Sequence, residues 1–203
     1  MAVAEMERRG GWIQTFTSRQ FWPLDARPEE VDIRDIAHGL SMLCRYAGAV
    51  REFYSVAQHC VLMSEAVAPE HALAALLHDA TEAYVVDLPN PVKRFMPEYM
   101  NIENALWLII AEHFGVPGML PPEVHDADAR IVIDERAALM GRVFHSWGAI
   151  DGMKPLGVNI TPWTPAHAEF RYLSRFYDLH VREIRSLMSE TPRTIGDREG
   201  DNE

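Results

Sequence analysis

The chain has little that would let it cross a membrane, coat nucleic acid or be stapled by disulfides. Its 203 residues include two cysteines, Cys44 and Cys60, too few for a disulfide framework. Both read as reduced thiols buried on helices. The longest apolar run, Ala105 to Ala111, falls far short of the about 20 residues that a membrane helix needs. The N-terminus, Met-Ala-Val-Ala-Glu-Met-Glu-Arg-Arg, lacks the apolar stretch of a signal peptide. Basic residues are outnumbered, 19 Lys and Arg against 30 Asp and Glu, for a formal net charge of −11. That balance disfavours nucleic acid and anionic membrane surfaces, but leaves room for a local basic pocket. A soluble, cytoplasmic protein is the expectation.

Val/Ile-rich alternation is nearly absent, and Trp12 to Thr17 is the one stretch that reads as a strand. Helical periodicity fills the rest. Asp32 caps a helix whose apolar positions run Ile33, Ile36, Ala37, Leu40, Leu43 and Cys44, with His38 and Arg45 together on another face. Ser55 caps the next helix, which carries His59 and runs to about Val67. Pro69 opens a third, and Pro89 and Pro91 stop it. Further helices are expected from about Pro97 to Phe114, Pro122 to Met140 and Pro165 to Met188. The sum is an all-α bundle of six or seven helices with a short N-terminal extended segment. Residues 1–188 are expected to form a single domain and 189–203 a disordered polar tail.

The third helix contains Ala-Leu-Ala-Ala-Leu-Leu-His78-Asp79-Ala-Thr-Glu82. An imidazole and a carboxylate side by side on an apolar helix are costly to bury without a partner, and a divalent cation compensates both. Two side chains leave most of a coordination shell open, so neighbouring helices should supply more. His59 is the upstream candidate, and the Asp126-Ala127-Asp128 cluster offers a carboxylate downstream. A mixed nitrogen and oxygen shell suits Mn²⁺, Co²⁺, Zn²⁺, Fe²⁺ or, less comfortably, Mg²⁺. Such an ion lowers the pKa of a water from 15.7 toward about 7 and supplies hydroxide at neutral pH. Glu82, one helical turn after His78, is placed to orient or deprotonate that water. His38, His71, His113, His125, His145, His167 and His180 lack such surroundings and read as ordinary core or surface residues.

At these residues the chain resembles the HD-domain phosphohydrolases, which carry His … His-Asp … Asp on an all-α fold. Tyr54-Ser-Val-Ala-Gln-His59, His78-Asp-Ala-Thr-Glu82 and Asp87-Leu-Pro-Asn-Pro-Val-Lys93 are similar to runs in the bacterial HD-type 5′-deoxynucleotidases. Asp35-Ile-Ala-His-Gly-Leu-Ser-Met-Leu-Cys-Arg45 is similar to a phage-associated branch that includes dATP triphosphohydrolases. The resemblance spans roughly Ile13 to Tyr177. It implies His59, His78, Asp79 and Asp128 as metal ligands, Asp128 being preferred to Asp126 because Ala-Asp-x-Arg … Glu135 fits the family pattern. It implies Glu82 as catalytic acid/base, Asp87 as a second acid of the pocket and Arg45 as a phosphate-binding arginine. Tyr46 falls where a relative has a base-stacking aromatic, and Lys93 is a further phosphate contact. Tyr-Val-Val86-Asp87 departs from the pattern, since relatives often have Gly before the Asp. The implied activity is metal-dependent hydrolysis of a deoxynucleotide, a 5′-monophosphate or a dNTP, by a homo-oligomer. A nucleotide-binding HD module without turnover is the alternative.

Overall fold

The computed structural model describes residues 8–142, 144–148 and 150–190, the side chains of 182–190 excepted. Among them eight α-helical segments occur: α1 (Ile33–Met42), α2 (Val56–Ala66), α3 (Ala72–Leu77), α4 (Glu82–Val85), α5 (Asn90–Lys93), α6 (Pro97–Phe114), α7 (Pro122–Leu139) and α8 (Pro165–Glu190). Two of these, α4 and α5, are single turns, which leaves six longer helices and an all-α bundle. The expected strand shrinks to β1 (Ile13–Gln14), paired antiparallel with β2 (Gln20–Phe21). The last helix runs two residues past the expected Met188, and residues 191–203 of the expected tail lie outside the described residues.

The centre of the bundle is α2. It is apolar nearly all round, as an enclosed helix must be, and it packs against α1, α3, α7 and α8. Ser55 opens it as expected, accepting a hydrogen bond from Gln58 N at 3.1 Å. Asp32 does the same for α1 through Arg34 N at 2.9 Å. The buried Gln58 side chain donates to Thr161 O at 2.8 Å and accepts from Trp163 N at 2.9 Å, which fixes the segment leading into α8. Along α8, Tyr172 closes over α3 by donating to Leu76 O at 2.8 Å. No helix among the described residues is long and apolar enough to cross a membrane.

Two local departures from the expected helices matter for the site. First, α1 stops at Met42, residues 43–44 are extended, and Arg45 opens a short 3-10 turn that runs to Gly48. Cys44 faces Ser55 in an isolated antiparallel bridge, and Arg45 N donates to Tyr54 O at 2.9 Å. Arg45 therefore leaves the His38 helix and turns toward the start of α2. Cys44 is only half-buried and off any helix, whereas Cys60 is buried on α2 as expected. Second, the helix expected to carry His78-Asp79 without a break ends at Leu77. The chain then tightens: Ala80 N donates to Leu77 O at 2.8 Å and Glu82 N to Asp79 O at 3.0 Å, both three residues back. Three residues per turn set Asp79 and Glu82 on one face. The α4 turn is seated by Gly39 of α1, where an added Cβ would lie 3.0 Å from Ala83 Cβ. Tyr84 stacks on Phe21 with ring centres 4.0 Å apart.

Candidate metal centre

Consecutive helices joined by a short connection put the start of one beside the end of the next. Thus His59, in the first turn of α2, meets His78, just past the end of α3. Their Nε2 atoms lie 3.3 Å apart. The third element is α7, which packs on α2 and brings Asp128 Oδ1 to 3.3 Å from His59 Nε2 and 4.0 Å from His78 Nε2. Asp79 completes the group, with Oδ1 3.2 Å from His78 Nε2 and Oδ2 3.7 Å from His59 Nε2. Asp126 points elsewhere and pairs with Arg130 one turn along α7 at 3.1 Å. Of the two candidate aspartates, only Asp128 reaches the cluster.

The tautomers follow from the second nitrogen of each ring. His78 Nδ1 is 2.8 Å from the carbonyl of Ala75, which can only accept, so Nδ1 carries the hydrogen. His59 Nδ1 is 2.7 Å from Glu135 Oε1, buried like the imidazole itself. Both Nε2 atoms consequently face one another and two carboxylates. That is the outer hydrogen bonding typical of ligating histidines, and the donor set fits a divalent cation. His59, His78 and Asp128 offer ligand atoms within 4.8 Å of one another, and so do Cys60, His78 and Asp79. The Cys60 alternative is weaker. Its Sγ stands 3.9 Å from His78 Nδ1, the nitrogen already committed to Ala75, and burial pushes its thiol pKa well up.

Glu135 organises the inner wall, a role the sequence reading did not assign although it noted the residue in the family pattern. It lies two helical turns after Asp128 on the same face of α7. Its Oε2 accepts from Arg45 Nε at 3.2 Å and from the Tyr46 hydroxyl. Arg45 Nη1 in turn lies 3.5 Å from Asp79 Oδ2. Burial alone would raise the Glu135 pKa, but Arg45 and His59 hold it down at about 2. Burial and the Arg45 charge depress His59, yet Glu135 and Asp128 outweigh them and hold it at about 9. Burial likewise opposes ionisation of Asp128, and the two imidazoles and Arg45 overcome it. Tyr46 reaches this position through φ 58°, the left-handed region.

The outer wall is anionic. A cavity of about 310 Å³ opens beside His78 and Asp79, lined also by Glu82, Lys93, Glu103, Trp107 and His125. Its size falls in the range of small-molecule sites. His125, read from sequence as ordinary, belongs to this wall, with no signal in the sequence to single it out. Burial, then the charges of Asp79 and Asp87, push Glu82 up to about 10. Lys93 faces the cavity but is tied to Asp87 and to Glu103, each at 2.7 Å. Asp87 itself is exposed at the cavity edge, held there by Lys93 rather than lining the cavity. Beyond the burial that dominates at Glu82, the raised pKa values of His59 and Glu82 share a contribution from nearby carboxylates that Arg45 and Lys93 do not balance. A cation would relieve it.

Fold and site together define an all-α bundle with a His/Asp cluster suited to a divalent cation. No family model matches the chain. It belongs to the family of YfdR: it is 38% identical over 169 residues to the uncharacterized protein YfdR of Escherichia coli, across 83% of this chain and 95% of that protein. It is also 34% identical over 126 residues to the uncharacterized protein RCAP_rcc00048 of Rhodobacter capsulatus, 57% of this chain and 64% of that protein.

Proposed function

We propose that the protein is an HD-type, divalent-metal-dependent phosphohydrolase whose substrate is a deoxynucleotide, either a 5′-monophosphate or a dNTP. The observation that carries this reading is the pair of Nε2 atoms 3.3 Å apart with Asp79 and Asp128 in reach. His59, His78, Asp79 and Asp128 hold the cation, which when bound acidifies a water and polarises a phosphoryl oxygen. Glu135 keeps His59 in the tautomer that presents Nε2. Arg45, on the opposite side of Asp79, supplies a guanidinium for charge on the phosphoryl oxygens. Glu82 shares a face with Asp79 and orients the attacking water or protonates the leaving oxygen. Lys93 draws the anionic substrate into a cavity that also carries the carboxylates of Asp79, Glu82 and Glu103. Tyr46 offers a ring to the base, although its hydroxyl is engaged by Glu135.

The test is direct. Purified protein with Mn²⁺ or Co²⁺ is incubated with each dNMP and dNTP, and released phosphate, pyrophosphate or triphosphate is identified. Phosphate from a dNMP makes it a 5′-deoxynucleotidase; triphosphate from a dNTP makes it a triphosphohydrolase. Asp79→Ala should abolish both bound metal and turnover. Nucleotides bound but left intact by the unsubstituted protein would identify a regulatory HD module instead.

A further inference from the structure

A second cleft, of about 630 Å³, opens near the C-terminal end of α7 and is lined by Arg51, Arg136, Arg142 and His145. Such a cluster is unexpected in a chain of net charge −11. Arg8, Arg19, Arg34, Arg45, Arg130 and Arg171 each pair with a carboxylate. Among the described residues, Arg51, Arg136 and Arg142 have none within ion-pair distance. Asp151 is the one carboxylate on the cleft wall among those residues, and it accepts from the Ser146 hydroxyl.

Two bland explanations fall short. The negative end of α7 attracts cations, but its final carbonyls are met by backbone: Arg51 N donates to Leu139 O at 2.9 Å and Met140 N to Arg136 O at 3.2 Å. Packing alone explains flat guanidiniums on rings, since Arg136 lies 5.3 Å over Trp147 and Arg142 5.3 Å over Phe144. A guanidinium laid on a ring has its N–H edge free, however, in a fixed plane suited to phosphate oxygens. These two guanidiniums and that of Arg51, around one open cleft, repel each other until an anion joins them.

We infer that this cleft is a second binding site, separate from the His/Asp cluster, for an anion of the phosphate class: an oligophosphate, free or carried on a nucleotide. It takes up its ligand whether or not the metal centre is occupied, so its test needs no turnover. Full-length, EDTA-treated protein is titrated calorimetrically at low salt with phosphate, tripolyphosphate and a nucleoside triphosphate. Saturable binding that tightens from phosphate to tripolyphosphate is expected. Arg136→Gln with Arg142→Gln should weaken it about tenfold or more, whereas Arg130→Gln, outside the cleft, should not change it. Should the double variant melt early, Arg142→Gln alone, exposed at the surface, carries the same test. Of the affinity lost in the variant, an equal loss for tripolyphosphate and the nucleoside triphosphate identifies free oligophosphate as the ligand. A larger loss for the nucleoside triphosphate identifies a nucleotide. Absent saturable binding, or full affinity retained by the cleft variants, overturns the inference.

Discussion

Two glutamates flank the same cluster and are driven in opposite directions. Glu135, on the inner wall, meets Arg45, His59 and Tyr46 and is held down at about 2. Glu82, on the outer wall, is half-buried beside Asp79 and Asp87 and pushed up to about 10. Both are partly or wholly removed from water, so burial does not separate them. Partners do: a fork of donors on one side, like charges on the other. The difference divides labour, with a carboxylate held toward ionisation beside an imidazole and one pushed toward protonation facing the cavity.

The sharpest way to break the comparison is Glu135→Gln. It removes the fully buried carboxylate partner of Arg45 and leaves that guanidinium only Asp79 at 3.5 Å, so chemical denaturation should show a loss of about 3 kcal/mol. Metal titration should show affinity reduced about 10–100-fold, since His59 loses its orienting carboxylate. A variant as stable and as metal-competent as the parent would mean that Glu135 organises nothing.

Glu82→Gln should act on the other side alone. Bound metal stays, while hydrolysis falls about 10²–10⁴-fold if Glu82 is the acid/base group. In metal-free protein the two residues also bend the stability–pH profile oppositely. The Glu82 contribution is fully present below its unfolded pKa near 4.5 and is lost as pH rises through about 10. That of Glu135 is present above about 4.5 and is lost as pH falls through about 2. Melting curves across pH should therefore lose their alkaline decline in Glu82→Gln and their acid-side decline in Glu135→Gln. Parallel profiles for the two variants would erase the contrast.

The smallest effect is expected at Val86, which stands at φ 60° and ψ 160° just before Asp87, with its carbonyl accepting from the Tyr99 hydroxyl. That region suits glycine and strains a β-branched residue by about 1–3 kcal/mol. The departure noted in the sequence, valine where the resembled family often has glycine, is thus a strained joint between α4 and the loop that leads into α5 and Lys93. Val86→Gly should raise thermal stability by about 1 kcal/mol after the added unfolded-state entropy; a drop in melting temperature would show the strain to be absent.

Much of this was legible in the chain. Capping at Asp32 and Ser55, proline at the first turns and 3.6-residue spacing mark most of the helices because these signals are local. His78, Asp79 and His59 could be picked from metal-type donors in an apolar helical context, whereas the residues alone left Asp126 and Asp128 open and the family resemblance implied Asp128. Less legible was everything that depended on where a helix ends. Arg45 reads as part of α1, yet the chain extends at Leu43 to pair with Tyr54. Asp79 and Glu82 read as helical neighbours of His78, yet three-residue hydrogen bonding turns them onto a common face. Glu135 looked like one more acid on α7 because its partners are 76 and 90 positions away.

The sequence by itself determined an all-α architecture and the donor types of its centre, since helix periodicity, caps and side-chain chemistry are properties of neighbouring residues. Only the tertiary structure decided which aspartate joins the imidazoles, which nitrogen of each ring faces the cluster and which glutamate is pushed toward protonation. Those outcomes are set by charges and carbonyls brought within a few ångströms from distant parts of the chain, and electrostatic energy depends on that distance, not on separation along the sequence.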